Sequence, residues 1–286
     1  MNDIVIIPTF DRPEYLWVCL DNMHKVSGID TKCIWICEDV HADKPKPFQI
    51  EMEMLATIRE AERVFRGQIR YIGRAPHTTY GNSYNVLSAL AEAAATYAKR
   101  VYLIEDDVLV TPDFFDWNEA AAAFNPWVSC AGRFNRSLNF AMNGPEAIDE
   151  AIKDVDACVA SNTAYNSWAT CFSRGALDRI AKDYSLHFDQ FGPGFEQDMF
   201  IQSIIRRENK ISLWPYVPRA YHMGWYSYHR SGMQFYGTLE EKVKTLQAAV
   251  HDPEKIKAMA SIQQIDPFPR RHHEFATKLY LKQVPR

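Results

Sequence analysis

The sequence predicts an α/β protein: a mixed, mostly parallel sheet flanked by helices, with a less regular C-terminal half. Three observations lead there. Short apolar runs alternate with longer stretches of helical periodicity over the first 120 or so residues. Repeated βα units with wholly apolar strands need a sheet covered by helices on both faces. From Trp127 onward that alternation loosens. At 286 residues the chain sits just above the range that one core usually serves, so one compact domain is expected.

The elements follow in order. "DIVIIPTF" (3–10) is a short apolar run stopped by Pro8. Pro13 then suits a first helical position, with Leu16, Cys19, Leu20 and Met23 at helical spacing. "KCIWICED" (32–39) reads as a second strand, with Cys33 and Cys37 on one face. Between Phe48 and Phe65, Met52, Leu55, Ile58, Ala61 and Phe65 recur at steps of three or four, which predicts an amphipathic helix on that face. "GQIRYIG" (67–73) is a third strand, "GNSYNVLSALAEAAATYAK" (81–99) an alanine-rich helix and "RVYLIEDD" (100–107) a fourth strand. Thr111 as N-cap and Pro112 at N1 predict a helix through Phe115 and Ala122. Beyond it, "WVSCAGRFNR" and "YNSWATCFS" read as strands, and Ser173 caps a helix. "GPGFEQDMFIQSIIRREN" is a loop feeding a helix from about Phe195, "KISLWPYVPRAYHMGWYSYHR" a strand entering an aromatic segment, and Thr238 to Val250 a final helix before a basic tail.

Composition narrows the function classes. With 47% hydrophobic and 24% charged residues, a formal charge of −4 and a pI near 6.1, nucleic acid or anionic lipid has no global electrostatic handle on the chain. No apolar stretch spans a bilayer, and "MNDIVIIPTF" lacks a charged leader with a cleavage site, so a cytoplasmic protein of bacterial or viral type is expected. Six scattered cysteines without paired CxxC units predict reduced, buried thiols rather than a zinc site.

Within "VYLIEDDVLVTPDFF" (101–115), Glu105, Asp106 and Asp107 interrupt an apolar run. Adjacent carboxylates repel, and burying them costs several kcal/mol, on the order expected for desolvated charge. Continued as a strand, the triplet sends Glu105 and Asp107 to one face and Asp106 to the other. A hard, oxygen-rich site with room for phosphates suits Mg²⁺ or Mn²⁺. An acidic turn before a helix N-terminus is the alternative reading. In parallel α/β sheets, ligands bind beyond the carboxyl ends of the strands, where this triplet falls.

The EDD triplet followed by "PDFF" resembles the metal-binding segment of GT-A glycosyltransferases, most closely the N-acetylglucosaminyltransferase I family. Several further pieces are similar in order over residues 3 to 230. They are the Asp11–Arg12 pair, the acidic strand end Glu38–Asp39, the Trp168-bearing strand, "GFEQDMF" and a closing strand. The resemblance implies a GT-A-like, Rossmann-like catalytic domain over 1–250. Residues 1–136 would form the nucleotide-sugar half and 137–250 the acceptor side, with 251–286 a C-terminal helix and basic tail. It also implies a metal-dependent, inverting transfer of a sugar from a nucleoside diphosphate donor, UDP-linked by preference, to an acceptor hydroxyl.

Carried over residue by residue, Asp107 corresponds to the direct metal ligand, and Glu105 and Asp106 to holders of ribose or sugar hydroxyls. Arg12 and Asp39 face the base, with Pro8, Thr9 and Phe10 lining its pocket. Asn82 in "GNSYN" and Trp168 also approach the donor. Asp198 matches the general base that an inverting transfer needs, with Glu196 as the fallback. First-turn acids are also common helix caps. His222 corresponds to a histidine that completes the metal shell in many GT-A enzymes, although the N-acetylglucosaminyltransferase I pattern has none there; His229 competes for the role. Arg219, Arg230, Arg270 and Arg271 are candidate phosphate contacts, and Trp214, Trp225, Tyr226, Tyr228 and Tyr236 offer stacking surface. The acceptor stays open among a glycan, a small molecule, a protein and a hydroxymethylated base in phage DNA. A nucleotidyltransferase, which would need a phosphate loop that "IIPTFDRPEY" lacks, and a non-catalytic carbohydrate-binding protein on the same scaffold are the rival classes.

Overall fold

The computed structural model describes residues 3–77, 81–132, 156–187, 196–223, 237–250 and 279–281. Its strands are β1 (Ile4–Thr9), β2 (Cys33–Glu38), β3 (Ile69–Gly73), β4 (Arg100–Ile104), β5 (Val108–Val110), β6 (Val128–Cys130), β7 (Ala157–Ser161), β8 (Ala169–Ser173), β9 (Ser212–Pro215), β10 (Ala220–His222) and β11 (Tyr280–Leu281). The helices are α1 (Pro13–Met23), α2 (Phe48–Phe65), α3 (Gly81–Ala94), α4 (Phe114–Ala121), α5 (Arg174–His187), α6 (Gln197–Arg207) and α7 (Leu239–Val250).

Nine strands form one sheet in the order β11-β7-β9-β6-β8-β4-β1-β2-β3, and β10 pairs with β5 in a separate two-stranded ribbon. The half containing β4, β1, β2 and β3 is parallel throughout. Three antiparallel pairings, β4 with β8, β6 with β8 and β7 with β9, make the sheet mixed. This is the mixed α/β architecture the alternation predicts.

Alternation along the central strands divides the interior into two cores. Val5, Ile7, Ile34, Ile36, Tyr102 and Ile104 face one way, toward residues of α1, α2, α4 and α7. Ile4, Ile6, Trp35, Cys37, Val101 and Leu103 face the other, toward α3, α5 and α6. Because strand side chains alternate with period two, wholly apolar strands can serve both layers. The cysteines are all free, and Cys33 alone among them is only partly buried.

Several local expectations are corrected. In α2 the buried residues include Met54, Ile58, Ala61 and Phe65, whereas Met52 and Leu55 are 46% and 41% exposed. At about 100° per residue, repeated steps of three walk around the helix, while mixed steps of four and three stay on one face. The chain leaves α2 through left-handed Arg66 and Gly67, at φ 42° and 84°, the positive-φ exit that glycine accommodates without strain. Helix α4 starts two residues later than predicted: Thr111 and Pro112 belong to the turn, and the Phe114 N–H donates to Thr111 O at 3.1 Å. Ser173 does cap α5, accepting from Ala176 N–H at 3.4 Å. Strand β7, and β11 pairing parallel with it from within the basic tail, went unpredicted.

Candidate active site

The acidic triplet is a turn rather than a strand end. β4 stops at Ile104, the Val108 N–H donates to Glu105 O at 3.0 Å, and β5 begins at Val108. The strand rule therefore fails for the triplet, because a turn does not send adjacent side chains to opposite faces. Asp106 and Asp107 instead share Arg12, whose guanidinium contacts Asp106 and whose Nη1 lies 2.8 Å from Asp107 Oδ2. Thr9 Oγ1 donates to the other Asp106 oxygen at 2.8 Å. The parallel pairing of β1 with β4 explains these contacts, since Thr9 and Arg12 leave β1 at the same sheet end as the triplet leaves β4.

The β5–β10 ribbon adds a histidine. Its antiparallel register sets His222 opposite Val108, and the Met223 N–H donates to Asp107 O at 2.7 Å. His222 Nε2 consequently lies 3.4 Å from Asp107 Oδ1. One donor atom each from Glu105, Asp107 and His222 fall within 4.8 Å of one another. Asp107 Oδ1 is buried and has no hydrogen-bond partner among the described residues. Oxygen donors with one imidazole fit a divalent cation, and Asp107 keeps one oxygen for it while Arg12 holds the other. The indole of Trp168 stacks on the His222 ring, centroids 4.8 Å apart.

The electrostatics of the turn are uneven. Burial pushes the Glu105 carboxyl up, and the neighbouring Asp107 charge adds to it. Burial also raises Asp106, against the opposing pull of Arg12. For Asp107, burial is outweighed by His222 and Arg12, so its carboxyl falls below its ordinary value. Of the three, Asp107 is the carboxyl whose ionised form its neighbours favour beyond the ordinary value.

Beside the turn opens a cleft of about 310 Å³ lined by Pro8, Thr9, Phe10, Asp11, Arg12, Asp39, His41, Asn82, Glu105 and Asp106. Eight of these were singled out from sequence as donor-binding; Asp11 entered only through the Asp11–Arg12 pair, and His41 was missed. Asn85, four residues into the "GNSYN" helix start, turns inward and donates to Cys37 O at 2.7 Å.

Asp198 sits in the first turn of α6, with Glu196 preceding the helix. Ser83 accepts from the Gln197 N–H at 3.1 Å and donates to its side chain at 2.7 Å, which ties the starts of α3 and α6 together. Burial pushes the Asp198 carboxyl up to about 6, offset in part by a hydrogen bond from Ser167. Ser167 Oγ–H donates to Glu105 at 2.9 Å while its backbone N–H serves Asp198, so one residue links the α6 acid to the turn. Nothing in the sequence marks Ser167; only the pairing of β8 with β4 brings it there.

Residues 4–252 match the profile of the family described as glycosyltransferase like family 2. The chain belongs to that family. It is a glycosyltransferase. No curated protein matches the chain at a significant level. Among solved structures, GalNAc-T7 with UDP, GalNAc and Mn²⁺ superposes with a TM-score of 0.51 at 9% identity, over 77% of this chain and 43% of that one. Galactosyltransferase LgtC with donor and acceptor sugar analogues gives a TM-score of 0.43 at 14% identity, over 72% and 70%. S. aureus TarS 1–349 with UDP-GlcNAc gives 0.46 at 12% identity, over 75% and 56%. The GalNAc-T7 superposition carries the fold, which is GT-A-like, and the family profile carries the enzyme class.

Two further readings are corrected in this glycosyltransferase. Arg219 is fully buried and its Nε donates to Asp113 Oδ2 at 3.0 Å, so it is engaged inside the protein rather than presented to a phosphate. Trp214 is buried in the second core with its Nε1–H on Ser212 Oγ at 3.0 Å and offers no stacking surface. The other candidates, Trp225, Tyr226, Tyr228, His229, Arg230, Tyr236, Arg270 and Arg271, lie outside the described residues.

Proposed function

We propose that this glycosyltransferase moves a sugar from a nucleoside diphosphate donor, UDP-linked, to an acceptor hydroxyl with inversion, in a divalent-cation-dependent reaction. The observation that carries the reading is the convergence of Glu105, Asp107 and His222 beside a cleft walled by the end of β1, the segment after β2 and the start of α3. Asp107 and His222 would hold Mn²⁺ or Mg²⁺, with Glu105 at hand. A cation there supplies Lewis-acid neutralisation of the departing diphosphate.

The chain's own residues do the rest. Arg12 and Thr9 fix Asp106 and one oxygen of Asp107, so the turn is held before the donor arrives. Pro8, Thr9, Phe10, Asp39 and Asn82 line the space for the nucleoside. Asp198 removes the acceptor hydroxyl's proton as its oxygen attacks the anomeric carbon. A carboxyl titrating near 6 suits that role, since it is ionised at neutral pH yet more basic than an ordinary aspartate. Glu196 is the secondary candidate. Trp168 orients His222 by stacking.

The EDD turn followed by "PDFF" supports closer kinship with the N-acetylglucosaminyltransferase I pattern, from which His222 departs. We keep residues 1–250 as the catalytic domain, divided near 136 into donor and acceptor halves and followed by the tail at 251–286. The cytoplasmic setting expected from the sequence remains part of this proposal; no described helix is long and apolar enough to cross a membrane. The deciding experiment is nucleoside diphosphate release from UDP-sugars with Mn²⁺. Turnover is expected in the wild type and lost in Asp107→Ala; full turnover in that variant overturns the metal role.

A further inference from the structure

A second group of metal-type donors lies across the cleft from the carboxylate turn. Asp39 follows β2, and the chain after β3 returns beside it: the His77 N–H donates to Val40 O at 3.1 Å and the Ala42 N–H to His77 O at 3.0 Å. These bonds make an isolated parallel bridge between His41 and His77 and set their rings side by side, centroids 4.6 Å apart. Both rings turn Nε2 toward the same carboxylate. His77 Nε2 is 2.7 Å from Asp39 Oδ1, and His41 Nε2 is 3.4 Å from Asp39 Oδ2.

One donor atom from each of the three residues lies within 4.8 Å of the others. A tetrahedral cation with ligands at about 2.0–2.2 Å needs donors roughly 3.3–3.6 Å apart, a spacing this group reaches with small side-chain rotations. The group is also braced. Asp39 is buried, with the Val40 N–H on its Oδ1 at 3.1 Å. Phe10 packs edge-on to His41 at 5.3 Å, and Tyr84 packs against His77 at 4.5 Å.

We propose that Asp39, His41 and His77 form a binding site for a transition-metal cation of the Zn²⁺ type, separate from the Glu105–Asp107–His222 group. Two imidazoles and one carboxylate are a nitrogen-rich set that favours Zn²⁺, Co²⁺ or Ni²⁺ over Mg²⁺, whereas the carboxylate turn is oxygen-rich. Ligation uses each Nε2 as a lone-pair donor, so a proton on that atom leaves as the cation binds. Three protein ligands leave a coordination position for water or a ligand atom. Asp39 and His41 also line the cleft, so the cation takes a cleft residue away from the donor. That consequence, inhibition by Zn²⁺ competitive with the nucleotide sugar, rests on the donor reading above; the binding itself does not.

The test uses the full chain, stripped with chelator and titrated with Co²⁺, read by its visible absorption, then back-titrated with Zn²⁺. One equivalent with a tetrahedral spectrum, displaced by Zn²⁺, is expected. His41→Asn and His77→Gln should each weaken binding at least tenfold, while Asp107→Ala leaves the spectrum in place. A spectrum that survives both histidine substitutions, one lost in Asp107→Ala, or no Co²⁺ uptake overturns the proposal. Circular dichroism checks folding, and should His77→Gln not fold, the more accessible His41→Asn decides. Absence of turnover with every nucleotide sugar would sink the donor reading and leave this titration unaffected.

Discussion

Asp198 carries the sharpest residue-scale consequence. Its carboxyl titrates near 6 because burial disfavours the charge. A base works only when ionised, so kcat/KM is expected to be level above that pH and to fall about tenfold per unit below it. The same shift has the opposite sign for stability. The folded state holds this proton more tightly than the unfolded chain, so the contribution is fully present below the unfolded pKa and lost as pH rises through about 6. Asp198→Asn is therefore expected to cost about 10²–10⁴ in turnover while leaving stability at pH 8 equal or higher, by on the order of 1 kcal/mol. A purely capping aspartate predicts the reverse, lost stability with retained turnover. Urea denaturation beside a steady-state assay separates the two. Such partners were only half legible in the sequence: three adjacent carboxylates announce themselves, but Ser167 and Thr9 reach them through strand pairings 62 and 97 residues apart in sequence.

At the scale of elements, α2 shows how a periodicity misleads when only its strongest hydrophobes are followed. Met54 is 1% exposed and Met52 is 46% exposed, two residues apart on the same helix. Met54→Ala is expected to cost about 2–4 kcal/mol through the cavity it leaves. Met52→Ala should stay within about 0.5 kcal/mol, as surface changes do. Equal effects in chemical denaturation would contradict the helix orientation. The turn before α4 offers a second case. Arg219, carried by the segment entering β10, pairs with Asp113 and donates to Val217 O, so it joins the α4 start to the ribbon that delivers His222. Removing it strands a buried carboxylate, and Arg219→Ala is expected to lose about 3–5 kcal/mol. Thermal unfolding checks the loss, and near-wild-type stability would return Arg219 to the candidate phosphate contacts. β1, β2 and β4 were readable because each is an apolar run between charges, and β3 because Ile69 and Ile72 stand between Gly67 and Gly73. β7 and β11 were not legible, and β9 and β10 merged into one predicted strand, because they are short, partly antiparallel, and fixed by partners distant in sequence.

For the whole molecule, the two cores share β1, β2 and β4, so neither layer can come apart without exposing the strands of the other. The carboxylate turn and the cleft both stand at the ends of these shared strands. A ligand held there should therefore stabilise the sheet and both helical layers as one cooperative unit. A ligand that binds only the folded state adds RT ln(1 + [L]/Kd), about 2.7 kcal/mol at one hundred times Kd. For a chain of this size that corresponds to a rise in Tm of roughly 5 °C. The rise is expected with UDP and Mn²⁺ together and not with UDP alone, because the diphosphate would otherwise face the ionised Asp107 without an intervening cation. Asp107→Ala should remove the metal-dependent part of the shift, since the two oxygens shared by Arg12 and the cation are gone. A shift of equal size with UDP alone, or one retained in Asp107→Ala, would place the diphosphate away from this turn and return the buried triplet to Arg12 as a wholly structural ion cluster.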